Sequence, residues 1–232
     1  MMATSGTTSF NPPFSSLIHA AYSRCGIRRP QILQEHIEDA KNEANFLQVE
    51  FANRGPTLWT VDLVSVPLSP GVATYAVAQD TIQILDVYVR TSVGPTNTDR
   101  ILTSISRTEY ASYPNKDQTG VPTTYWFNRQ ISPEITLWLV PDSATTYTLE
   151  YYRFVQVEDA SVPGGVNVQL PYRYLDAFVA GLAARLAVIW APDRIVQLAA
   201  QAEKAYQIAS TQDVEDAQMY IIPSGLNQYT RA

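Results

Sequence analysis

The chain has 232 residues, 46% of them hydrophobic, and a formal net charge of -6. It is long enough to bury a good core in one or two domains and too apolar for a disordered chain, while its acidic balance argues against a surface that wraps nucleic acid by neutralising phosphates. A single cysteine, Cys25, excludes an internal disulfide, and with only His19 and His36 beside it no Cys/His zinc cluster assembles.

No apolar run approaches the roughly 20 residues that cross a bilayer, and the start MMATSGTTSF lacks the charged and apolar stretches of a secretory signal. Both point to an intracellular protein. Thirteen of the sixteen cations are Arg, and there are fourteen Tyr. A planar, weakly hydrated guanidinium and a rigid amphipathic ring are cheaper to bury than a flexible ammonium, so this balance suits contacts with other proteins.

Two alanine-rich helical segments, Leu33 to Phe51 and Leu170 to Ala209, bracket a Tyr-, Thr- and Val-rich middle, Val61 to Val155, that Pro and Gly cut repeatedly. The pattern predicts an α+β fold: a helical bundle built from both chain ends, with an inserted antiparallel β domain and an extended C-terminal tail. The corresponding division is 1–59 with 169–221 for the bundle, 60–168 for the insert and 222–232 for the arm.

At the start, Ser15 or Ser16 is expected to cap a short helix whose inward positions are Leu17, Ile18, Ala21, Tyr22 and Cys25, with Gly26 ending it in a left-handed conformation. The next helix carries Leu33, Ile37, Ala40, Ala44, Leu47 and Phe51 as one stripe. Its opposite face holds Glu35, Glu38, Asp39, Lys41 and Glu43. These carboxylates read as a solvated face and not as an acid/base or metal site, because nothing in the sequence desolvates them or supplies a partner histidine.

After Trp59 the period changes to two. Expected strands are Thr60 to Val66, Thr74 to Val77, Ile82 to Arg90, Ile101 to Ser106, Thr123 to Asn128, Ile135 to Val140 and Tyr147 to Val155, an order that favours a sandwich or small barrel. Thr91 to Arg100 reads as a polar loop. Thr108 to Pro122 reads as a helical turn ending in a mobile Lys116 to Gly120 loop.

Helix returns at Leu170, with Pro171 in the first turn. Leu175, Phe178, Val179, Leu182, Leu186, Ile189 and Trp190 form a wide apolar face, and Ala180, Gly181, Ala183, Ala184 and Ala187 fill much of the rest. Such a helix is either central in its own bundle or pressed on a neighbouring subunit. Pro192 restarts a helix through Thr211, with Ile195, Leu198, Ala202, Tyr206 and Ala209 inward, so the two make an antiparallel hairpin. Asp213 to Tyr220 has helical character. Beyond it Ile221, Ile222, Leu226 and Tyr229 are apolar anchors without periodicity, a pattern that orders itself only against a partner.

Catalytic constellations, metal ligands and cofactor motifs are not found: no lysine follows a phosphate-cradling glycine pattern and no Gly-x-Ser-x-Gly elbow occurs. His19 is expected to be packed or interfacial, and Cys25 to be an inert thiol. Trp126, Trp138, Tyr125, Tyr147, Tyr151 and Tyr152 suit either a sugar-stacking platform or core and cross-strand packing.

Three stretches carry a family likeness. They are Leu17 to Gly26 followed by Ala44-Asn45-x-Leu47 and Gly55-x-x-Leu58-Trp59, then Leu68-Ser69-Pro70-Gly71-x-x-x-Tyr75 leading into Ile82 to Arg90, and finally Thr145-Thr146-Tyr147-x-Leu149-x-Tyr151-Tyr152 before Leu170-Pro171 and the helix Leu175 to Trp190. In this layout the chain resembles the head-to-tail adaptor proteins of short-tailed bacteriophages.

The resemblance implies a structural, non-enzymatic virion protein of the neck, made in the host cytoplasm. It implies a homo-oligomeric ring, a dodecamer, seated under the portal protein, joined to a tail nozzle or tail tube protein, and threaded by double-stranded DNA that it does not bind by sequence. Carried onto this chain, Met219, Tyr220, Ile221, Ile222, Leu226, Tyr229 and Arg231 belong to a portal-docking arm. Arg28, Arg29, Asn97, Arg100, Asn115 and Lys116 become contacts to the tail or to a neighbouring subunit. The alternative is a carbohydrate- or ligand-binding β module on a helical scaffold in another virion or surface protein, which requires the Tyr/Trp set to be exposed on one sheet face.

Overall fold

Phe14, Leu17, Ile18, Ala21, Tyr22 and Cys25 recur at helical spacing, and all six are buried in the computed structural model, which describes residues 10–55, 58–93, 96–160 and 167–213. They form the inner face of α1 (Phe14–Cys25), which Gly26 closes at φ 89° in the left-handed region that favours glycine. The cap at the other end differs from expectation. Pro13 stands at the N-cap without a side-chain hydrogen bond, and Ser15 and Ser16 lie inside the helix, because Phe14 is apolar enough to extend the buried stripe by one turn.

The second helix, α2 (Gln34–Arg54), buries Ala40, Ala44, Leu47 and Phe51 as the stripe predicts, but Leu33 sits at its N-cap and is 58% exposed. His36 occupies the buried place instead. It stacks on Trp190 with ring centroids 3.9 Å apart, and its Nδ1 accepts the Leu33 N–H at 3.2 Å, closing the first turn.

The long C-terminal hairpin is α4 (Leu175–Trp190) and α5 (Ile195–Thr211), reached through short 3-10 turns at Tyr172–Tyr174 and Pro192–Arg194. Of the two options for the apolar helix, α4 takes the first: it packs against α1, α2 and α5 and buries Leu175, Phe178, Val179, Leu182 and Leu186 along with Ala177, Ala180, Ala183 and Ala187. Gly181 lets α2 approach so closely that a Cβ there would lie 2.8 Å from Leu47 Cδ1. The resulting core joins residues from both ends of the chain, from Phe14 to Phe51 and from Ala160 to Ala209. On α5, only Leu198 and Ala209 are fully buried; Ile195, Ala202 and Tyr206 are half-buried.

Between the helices the chain forms two four-stranded sheets. The first, in the order β1 (Val61–Pro67), β10 (Thr146–Val155), β3 (Thr81–Val93) and β4 (Thr96–Ile101), is antiparallel throughout. The second runs β2 (Thr74–Ala76), β8 (Glu134–Trp138), β7 (Thr124–Asn128) and β5 (Thr103–Ser104), and a small pair joins β6 (Thr119–Gly120) to β9 (Val140–Pro141). Val87, Val89, Leu149 and Tyr151 from the first sheet share one core with Tyr125, Ile135 and Leu137 from the second, which makes a sandwich. Two pairings, β5 with β7 and β6 with β9, are parallel, so the insert is not wholly antiparallel.

The expected loop Thr91 to Arg100 is instead the tip of a hairpin, since β3 runs on to Val93 and pairs back with β4 from Thr96. All six β4 residues are exposed. A strand wet on both faces has no apolar alternation to reveal it. A short helix, α3 (Arg107–Ser112), is capped by the Ser106 hydroxyl accepting the Glu109 N–H at 3.1 Å.

Candidate functional site

Where the chain leaves the bundle for the first sheet, aromatic rings and one acid of the bundle build a corner. Trp59, just before β1, packs on Tyr174 with centroids 4.4 Å apart, Tyr174 meets Phe51 at 6.1 Å, and Phe51 meets Tyr206 at 5.1 Å. Asp213, directly after α5, is buried among them. Its carboxylate accepts the Leu58 N–H at 3.2 Å and the Tyr174 hydroxyl at 3.5 Å, and it pairs with Arg173. Burial, and next the Asp213 charge, push the Tyr174 hydroxyl up to about 12. Sequence reading missed this keystone, because a lone acid whose partners lie 40 and 155 residues away carries no local signal. The end of α5, from which residues 214–232 continue, is thus pinned beside the entry to the first sheet.

A second charged set binds the three long helices. Arg185 on α4 reaches Glu43 at 3.1 Å and Glu50 at 2.7 Å on α2, while Arg54 on α2 reaches Glu50 at 2.5 Å and Glu203 on α5 at 2.7 Å. Asp39 accepts the Trp190 indole N–H at 3.2 Å. The acidic face of α2 is therefore only partly solvated: Glu35 and Glu38 are exposed, but Asp39 and Glu43 are used to hold α4.

Burial works against the Glu50 carboxylate, yet hydrogen bonds and charge from Arg185 and Arg54 prevail and hold it below its ordinary value of 4.5. A carboxylate with a depressed folded-state pKa contributes stability above its unfolded value and loses it as pH falls through the folded one. Glu50→Gln is expected to cost about 1 kcal/mol at neutral pH, given the partial exposure of the pair. The difference from the parent chain should fade below pH 4.5, measured by urea melts across the acid range.

The six body residues expected to make contacts fall on three separate places. Arg28 and Arg29 are exposed at the turn after α1, where the Arg28 N–H donates to Gln31 Oε1 at 2.8 Å. Asn97 and Arg100 are exposed on β4. Asn115 and Lys116 follow α3 and are held within their own subunit: the Asn115 carbonyl accepts the Trp138 indole N–H at 3.0 Å, and Lys116 Nζ donates to the Tyr113 and Ala111 carbonyls at 3.0 and 3.3 Å. The start of the Lys116 to Gly120 loop is thereby tied to α3, and its end is paired as β6. The arm residues Met219, Tyr220, Ile221, Ile222, Leu226, Tyr229 and Arg231 lie outside the described residues.

The reactive side chains are engaged in packing. Burial, then Arg29, lowers the pKa of His19. Cys25 is buried and its thiol donates to the Ala183 carbonyl at 3.4 Å; burial pushes its pKa up against an opposing pull from Arg194. Among the described residues no group of three His, Cys, Asp or Glu is placed to hold a metal ion. The aromatic set does not share one open face. Tyr125, Tyr147 and Tyr151 are buried in the sandwich, and Trp126 and Trp138 are half-buried under Tyr110 and Tyr113 at 5.7 and 4.4 Å. Among the described residues no helix is long and apolar enough to cross a membrane.

The bundle is thus closed from both chain ends and carries the sandwich on a pinned corner. The family model described as SU10 adaptor protein matches residues 14–225. The chain belongs to that family and is a phage head-to-tail adaptor protein. No curated protein matches it.

Proposed function

We propose that the chain is one subunit of a ring, a dodecamer, seated beneath the portal in the neck of the virion, where it joins the capsid to the tail nozzle or tube and continues the DNA channel. Besides family membership, one observation carries the ring reading. The bundle fills its own core and still leaves large apolar side chains uncovered: Phe46 (58% exposed) and Val49 (51%) on α2, Val188 (64%) and Ile189 (50%) at the end of α4, and Val196 (85%) and Ile208 (60%) on α5. Apolar surface spread over three helices of a completed bundle suits contacts made on assembly.

The net charge of -6 fits a conduit along which DNA slides without being gripped. In this reading residues 219–231 form the portal-docking arm, and Arg28, Arg29, Asn97, Arg100, Asn115 and Lys116 serve contacts to the tail or to neighbouring subunits. Mass measurement of the purified subunit, alone and mixed with its portal ring, is the test. A small species that becomes one large cyclic complex on the portal is the expected result; failure to form any ring with it overturns the reading.

A further inference from the structure

Among the described residues the first sheet ends in two edge strands, β1 and β4, and its four strands alternate in direction. An even number of alternating strands leaves the two edges running oppositely. A second copy placed alongside by rotation about a ring axis therefore brings its β1 against the first copy's β4 in antiparallel sense, and the alternation continues across the boundary. That is a head-to-tail relation, the kind that closes rings.

Both edges carry exposed apolar groups on the same face of the sheet. Val87 and Val89 of β3 point into the sandwich core, so Tyr88 and its register partner Ile101 on β4 face outward, and Ile101 is 81% exposed. On β1, Val64 and Val66 pack on the core, so Leu63 faces outward and is 45% exposed. Singly exposed apolar residues are ordinary. Here they stand at opposite edges of one face, where a neighbouring copy would bring them together.

We propose that β4 of one subunit pairs antiparallel with β1 of a second copy, with Ile101 opposite Leu63, forming a continuous sheet around the ring. In this register Asp99 lies opposite Ser65 and Arg100 lies diagonal to Asp62, so opposite charges approach. Core-facing residues also meet core-facing residues, as a valid register requires. The proposal rests on the ring reading above and adds to it the surface through which copies join.

The test uses the full chain with Leu63→Cys and Ile101→Cys, singly and together, in the presence and absence of the portal ring. Cys25 is buried, so the introduced thiols are the ones that react. Both positions are exposed, and a thermal melt like the parent's confirms that the variants fold. On the portal, the double variant treated with a short bismaleimide or mild oxidant should give a ladder of covalent multimers, while each single variant stays monomeric. A ring intact by mass without a ladder overturns the edge pairing and leaves the ring reading standing. Dimers from either single variant indicate a two-fold contact and overturn the pairing as well. Absence of any ring by mass overturns both.

Discussion

A chain truncated after Tyr220 should keep the melting temperature of the full subunit and lose at least two decades of affinity for the portal. The bundle's described core ends at Ala209, and its corner is locked by Asp213, both of which the truncation retains. What it removes is Ile221, Ile222, Leu226 and Tyr229, together with Arg231. Burying each apolar side chain in a portal groove contributes about 1.5–3 kcal/mol before ordering costs, and a net of about 3 kcal/mol corresponds to roughly a hundredfold in affinity. The pinned end of α5 fixes the point from which residues 214–232 continue toward the arm. Calorimetry of the subunit and binding to immobilised portal give the two readouts. Equal attachment by the truncated chain would mean that the helical body docks instead, through the Arg24 to Arg29 turn and the α4–α5 hairpin.

Excising Val61 to Val155 and joining Thr60 to Gln156 through a short linker should leave the bundle folded, with its molar helical signal kept and a cooperative melt. We propose on this basis the division into a bundle unit, 1–59 with 169–221, an inserted unit, 60–168, and an arm, 222–232. The ends of the excised piece are neighbours, because β1 and β10 pair with Val61 opposite Phe154. Leu170, and with it Ala160 and Val168 from the last stretch of the proposed insert, belong to the bundle's core cluster, Trp59 packs against it, and all four remain after the cut. The contact that is lost is loosely packed: a cavity of about 210 Å³ lies between bundle and sandwich, lined by Gln48 and Trp59, each with a buried donor that has no partner among the described residues, and by Ile82, Arg129 and Phe154 of the sandwich. Circular dichroism and a thermal melt check the outcome. Global unfolding would mean that the sandwich supplies one wall of a common core, and the division would fall.

Much of this architecture could be read along the chain. The stripe from Ala40 to Phe51, the break at Gly26, the hairpin around Pro192 and the change to a period of two after Trp59 are each carried by residues a few positions apart. Local spacing is enough for them because a helix face or a strand face is itself a local object. The adaptor likeness rested on the same order of elements, and the family match over residues 14–225 agrees with it.

Other features depend on partners far apart in sequence, and no period announces those. His36 replaces Leu33 in the core because Trp190 and Tyr22 offer it rings to pack against. Asp39 and Glu43 leave the solvated face because Trp190 and Arg185 come within reach. β4 is a strand because β3 supplies its hydrogen bonds, although its own residues are exposed throughout and, Ile101 apart, polar. Asp213 locks the corner between bundle and sandwich by meeting Leu58, Arg173 and Tyr174, which are assembled only when both ends of the chain have closed on each other. Helix and strand periods come from backbone geometry and survive in one dimension; charge pairing, aromatic stacking and sheet edges are relations between elements, and they exist only once the chain has folded.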